Sequence, residues 1–396
     1  MPQIFSKALD KSLNINRIIG KISGKKPGPT VVFFGGVHGN EPAGVFALQE
    51  VFHALKSKEE TINGTLYGVA GNLSALQKQV RYQIEDLNRI WFPERIANLP
   101  QKQVNEDEAE MLALYELLHE ILDTEKPPFY FIDLHTTSGQ TAPFIVVNDS
   151  LLNRKFVSNY PLPIILGIEE YLTGALLSHI NELGYVAFGY ESGQHDDPKA
   201  IENAIDFINY TLAVTGAVTA SDDYVDGLKL KVRESSGVKH EFYEIRYQHT
   251  IKEGDAFKML PGFINFQKIP KGKPIALNGS GMISTKKNRR IFMPLYQNKG
   301  SEGFYFIKKI PVVFLWISKF LRKLKADHIL VRLPGIEWAT HKKDTLLVNQ
   351  KIVRFLAKSL FHLLGYRTRQ FDKDHLIVKN REAASKTPQY KQTTWY

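Results

Sequence analysis

The stretch FFGGVHGNEPAG, Phe33 to Gly44, constrains this chain more than any other. An apolar run from Val31 to Phe34 enters two glycines; His38 and Glu41 follow three positions apart, and Pro42 comes next. This order predicts a buried strand, a tight turn and a helix start, because a proline at the first helical position lacks only an N–H that would be unpaired there. It places an imidazole and a carboxylate at the carboxyl end of a strand, where open α/β sheets keep their sites. Nitrogen and oxygen ligands so close together suit a divalent metal such as zinc.

A His-x-x-Glu pair alone is common and carries little weight. A second segment, FYFIDLHTTSG from Phe129 to Gly139, repeats the logic with an apolar strand, Asp133 and His135. His38, Glu41 and His135 make a two-histidine, one-carboxylate set that leaves a fourth position for water, as catalytic zinc sites require. Asp133 reads either as a partner that orients a ligand histidine or as a cap of the turn.

With DLNR (Asp86 to Arg89) and YESGQ (Tyr190 to Gln194) added, the chain resembles the succinylglutamate desuccinylase/aspartoacylase family of the zinc carboxypeptidase superfamily. Four motifs match in order over about residues 30 to 305. The resemblance implies one zinc per chain on His38, Glu41 and His135. It implies Glu191 as the general base, Arg81 as the arginine that polarises the scissile carbonyl, and Asn88 with Arg89 as the pair that holds a substrate carboxylate. The implied reaction is hydrolysis of an N-acyl amino acid or related small N-acyl amine by zinc-activated water, with ester cleavage open to the same machinery. Two departures bear on the substrate. No arginine lies between Arg154 and Glu191, where aspartoacylase-like members carry one, and Tyr296 and Tyr305 are imperfect stand-ins for the family's substrate-binding tyrosine. A doubly acidic substrate is therefore not carried over.

The implied fold is a zinc-carboxypeptidase-like mixed α/β sheet flanked by helices, then a smaller β-rich domain and a helical tail. We place these at residues 1–218, 222–310 and 311–396. Alternating strand-like and helix-like stretches in the first part agree with that class. Helices are expected over 43–56, over 106–123 behind an Asn105/Glu108 cap, and over 199–216 behind Asp197-Pro198. Beyond residue 222 the runs LKLKVRE, KHEFYEIRY, KPIALNG and GFYFIKK read as strands between Gly and Pro breaks. PVVFLWISKFLRKLK and FLAKSLFHLLG read as tail helices, the first more often packed on its own protein but open to lying on a membrane surface, and the last fifteen residues as a loose end.

The absence of cysteine excludes disulfides, thiolate clusters and cysteine nucleophiles. Neither a signal-peptide core nor an apolar run of the ~20 residues needed to span a membrane is visible, so a cytoplasmic protein is expected. Residues 1–220 hold 17 basic and 26 acidic side chains, and residues 221–396 hold 34 and 15. A basic half of this kind could attract an anion, yet no nucleic-acid motif accompanies it, so no specific nucleic-acid partner is expected. No phosphate-binding glycine loop is present either. Two other readings remain: a zinc carboxypeptidase acting on peptides, and a non-catalytic anion-binding protein. The expected partner is a small N-acyl substrate, and homo-oligomerisation is open.

Overall fold

The computed structural model describes residues 1–99, 104–349, 351–353, 358–370 and 375–396. Its centre is an eleven-stranded mixed sheet. Three long strands lie side by side and parallel: Lys26–Gly35, Phe129–Thr137 and Val186–Gln194. Asn63–Ala70 pairs parallel to the first of these, and the antiparallel edge strand Ile18–Ser23 closes that side. On the other side the sheet runs through Phe144–Val147 and Ile164–Leu166 to Phe242–Thr250, Glu302–Lys309 and Arg289–Phe292. The β-rich segment thus extends the same sheet that carries the motifs.

Side-chain alternation explains why the central strands read as unbroken apolar runs. Val31 and Phe33 pack with the helices Ala43–Leu55 and Pro198–Val214, while Val32 and Phe34 pack on the opposite face with Glu106–Thr124. A strand covered on both faces needs apolar residues at every position. The expected helices form within two residues of their predicted ends, and Asn105 and Glu108 make the reciprocal capping bonds.

LKLKVRE is not a strand. It lies in the helix Asp222–Ser236, which Ser221 caps at one end and Gly237, at φ +60°, ends at the other. Its apparent alternation hides a helical stripe, with Leu228 and Val232 buried four residues apart. The tail is more than helical: beyond the helix Val312–Lys323, four antiparallel strands order as Ile336–Trp338, Thr345–Asn349, His375–Asn380 and Tyr366–Gln370. The helix Lys358–Leu363 falls within FLAKSLFHLLG, whose residues 355–357 lie outside the described residues. The final fifteen residues are not loose. Tyr390 is fully buried, accepts from the Val186 amide at 3.0 Å and donates to the Phe129 carbonyl at 2.6 Å, and the Trp395 indole donates to the Tyr130 hydroxyl at 2.8 Å. The chain end thereby ties down the amino ends of two central strands. No helix among the described residues is long and apolar enough to cross a membrane.

Candidate metal centre and cleft

The three central strands deliver the site. The Lys26–Gly35 strand ends in a loop carrying His38 and Glu41 before Pro42 caps the next helix. Its glycines are required by space: Gly36 sits at φ +72°, and a β-carbon on Gly39 would lie 2.1 Å from the Ala75 carbonyl carbon. His135 comes from the neighbouring strand, where it stands in register with Glu191 of the third.

His38, Glu41 and His135 are buried, and one ligand atom from each falls within 4.8 Å of the others. The carboxylate lies between the two rings, with Glu41 Oε1 2.9 Å from His38 Nδ1 and Oε2 3.0 Å from His135 Nδ1. The opposite nitrogen of each ring meets an aspartate: His38 Nε2 lies 3.1 Å from Asp86, and His135 Nε2 lies 2.6 Å from Asp133. Imidazoles backed by carboxylates on the far nitrogen are the arrangement that orients metal-binding histidines. Asp133 is thus the histidine's partner rather than a turn cap. Asp86 fills the same role for His38, a role not visible in DLNR itself. Burial would lift the Glu41 pKa, but the two imidazoles outweigh it and hold the group well below the usual carboxylate range.

Glu191 is different. It is buried, and its Oε2 has no hydrogen-bond partner among the described residues. Burial first, with the Glu41 and Asp133 carboxylates adding to it against the pull of His135 and Arg81, pushes its pKa up to about 8. Arg81 donates to Asp86 at 3.1 Å and to Glu41 at 3.4 Å, so its guanidinium is fixed beside the Glu41 carboxylate.

His38, Glu41, Arg81, His135 and Glu191 line one cleft, together with Asn88 and Arg89. Asn88 accepts from the Leu176 amide at 3.0 Å. Arg89 faces Glu302 at 3.3 Å, a carboxylate of this chain where an acidic substrate group was expected. Tyr305 enters the cleft, whereas the Tyr296 hydroxyl is held away by the Leu260 carbonyl at 2.8 Å. His195 was missed: it lines the cleft, with Nδ1 2.7 Å from the Thr136 hydroxyl and Nε2 3.2 Å from Gln297. Its position directly after YESGQ was the available signal.

A mixed sheet with a buried histidine–carboxylate set and a facing acid at the carboxyl ends of adjacent strands is a layout that could hold a cation in the cleft. The family model for the Succinylglutamate desuccinylase/Aspartoacylase catalytic domain matches residues 27–206. That segment belongs to this family. Solved structures share the fold at low identity. Succinylglutamate desuccinylase from Vibrio parahaemolyticus is 13% identical, with a TM-score of 0.52 over 77% of this chain and 95% of its own. A succinylglutamate desuccinylase/aspartoacylase from Rhodobacter sphaeroides is 15% identical, with a TM-score of 0.54 over 73% and 88%. The ectoine utilization protein EutE (DoeB) from Ruegeria pomeroyi, in a product-bound structure, is 17% identical, with a TM-score of 0.51 over 73% and 87%. No curated protein matches the sequence significantly.

Proposed function

We propose that the protein is a zinc-dependent amidohydrolase that removes the acyl group from an N-acyl amino acid or related small N-acyl amine. The observation that carries this reading is the buried His38–Glu41–His135 set in one cleft with Glu191, whose Oε2 has no partner among the described residues. The donor set fits zinc: two imidazole nitrogens, each backed by an aspartate, and one carboxylate. A bound zinc ion would supply Lewis acidity, enough to make water a nucleophile near neutral pH.

The chain's own residues supply the rest. Glu191 takes the proton from the attacking water and returns it to the leaving amine, a task that suits a carboxyl whose pKa lies near working pH. Arg81 faces the oxygen of the scissile carbonyl as charge develops on it, while Asp86 holds its position. Asn88 and Arg89 orient the amino-acid part. A substrate carboxylate reaches Arg89 by sharing it with Glu302, which argues for at most one acidic group on that side. Leu172, Leu177, Met293 and Leu295 give the cleft apolar walls suited to an aliphatic acyl group.

The deciding experiment is metal content by plasma mass spectrometry on the purified protein and its His135→Ala variant, followed by hydrolysis of N-acyl amino acids beside peptides. About one zinc per chain, lost in the variant, together with release of free amino acids, is the expected result. A protein that stays metal-free with zinc supplied overturns the reading, and cleavage of peptides alone moves it to a carboxypeptidase.

A further inference from the structure

The helix Val312–Lys323 presents its apolar stripe outward. Val312, Trp316, Phe320 and Leu324, four residues apart, are 75%, 65%, 51% and 61% exposed, and the Trp316 and Phe320 rings stack at 5.9 Å. A surface helix ordinarily turns such a stripe to the core, and the sequence alone led us to expect that here. The rotation is set by bonds on the other face. Ser318 donates to the Leu363 carbonyl at 2.7 Å, and buried Arg322 meets the Asp149 carboxylate at 2.8 Å and Glu382 at 2.9 Å. Turning the stripe inward would break these ion pairs. The polar anchors face in and the aromatics face out.

Charge says what covers the stripe. Lys319 and Lys323 are exposed beside it and have no carboxylate partner among the described residues. Lys155 stands close enough that these two lysines add to the effect of burial in lowering its pKa. A second copy docked here across a two-fold axis would bring the same lysines together, a like-charge contact. An anionic lipid surface meets both features: headgroup charge opposite the lysines, and an interfacial layer in which tryptophan and phenylalanine rest.

We propose that this helix docks the protein, in plane, on membranes rich in anionic lipid. Attachment of this kind strengthens with buried apolar area and with attraction to anionic lipid, and the aromatic stripe and the lysine group supply one each. The contact brings the deacylase to the bilayer without spanning it.

The test is co-sedimentation of the full-length protein with phosphatidylcholine vesicles, with and without phosphatidylserine, at low and high salt. Binding only to the phosphatidylserine vesicles, weakened by salt and accompanied by a blue shift of tryptophan emission, is expected. Lys319→Gln with Lys323→Gln should lower the partition coefficient roughly thirtyfold. Trp316→Ser with Phe320→Ser should lower it by about tenfold or more, at an unchanged melting temperature because both side chains face solvent. Wild type that stays in the supernatant at low salt overturns the proposal, as does a Trp316→Ser/Phe320→Ser protein that binds like wild type. A wild-type dimer dissociated by that pair of substitutions, with no vesicle binding, also overturns it and assigns the stripe to a second copy.

Discussion

The cleft and the junction between the catalytic sheet and the C-terminal extension both bury several charges, and they treat them in opposite ways. At the junction every carboxylate faces a guanidinium: Asp149 meets Arg154 and Arg322, Glu382 meets Arg322, and Glu169 and Glu170 meet Arg381. In the cleft Glu41 and Asp86 are likewise paired, but Glu191 makes no ion pair with any cationic side chain among the described residues. A paired buried charge holds parts together, because removing either partner leaves the other stranded. A buried carboxyl without such a pair costs stability and raises its own pKa, a pattern that marks a candidate functional group. The contrast separates the groups that hold this protein together from the group we propose acts on substrate.

The largest effect that would break this contrast lies at Glu191. Glu191→Gln should reduce deacylation by about 10²–10⁴-fold, with a melting temperature equal to or above that of wild type. A wild-type rate in that variant would remove Glu191 from the reaction. At the junction the pattern should invert. Asp149→Asn should cost about 3–5 kcal/mol of stability by denaturant unfolding, with turnover per folded molecule retained. Burial would raise the Asp149 pKa, but Arg154 and Arg322 hold it well below the usual carboxylate range. A depressed native pKa stabilises above the unfolded value. The wild-type advantage should therefore be full at neutral pH and shrink only as the pH falls below about 4. A difference that stays constant into that acid range would mean Asp149 acts through packing and not charge.

Two smaller tests sharpen the boundary between the regions. Glu302→Gln weakens the internal hold on Arg89, so KM for substrates with a free carboxylate should fall by about tenfold while kcat holds, and uncharged analogues should not respond. Tyr390→Phe removes the hydroxyl that links the Val186 amide and the Phe129 carbonyl, and should cost about 1–2 kcal/mol in unfolding without altering the rate. A change in kcat there would show that the chain end tunes the cleft through the central strands.

Much of the site was legible before any fold was seen, because its chemistry sits in short segments. FFGGVHGNEPAG and FYFIDLHTTSG each carry an apolar run, tight-turn glycines and ligand atoms at fixed spacing, which fixes the residues that meet once the two strands pair in parallel. The helix ends were legible for the same reason, since Asn105, Glu108 and Pro198 act within a turn of themselves. LKLKVRE misled because a short alternation of apolar and charged residues fits a strand, and only the Ser221 cap and the packing of Leu228 and Val232 select the helix. Asp86 and His195 could not be placed, since their partners His38 and Thr136 lie 48 and 59 residues away.

The amino-acid sequence on its own thus determined the candidate set His38, Glu41 and His135, the α/β class and the ends of three helices, all of which rest on interactions a few residues long. Tertiary structure alone decided which aspartate backs which imidazole, that Glu302 occupies Arg89, that the chain end is buried, and that Trp316 and Phe320 face outward. Each of those outcomes depends on groups far apart in the chain, and what a side chain meets across the fold is settled only when the whole core has closed.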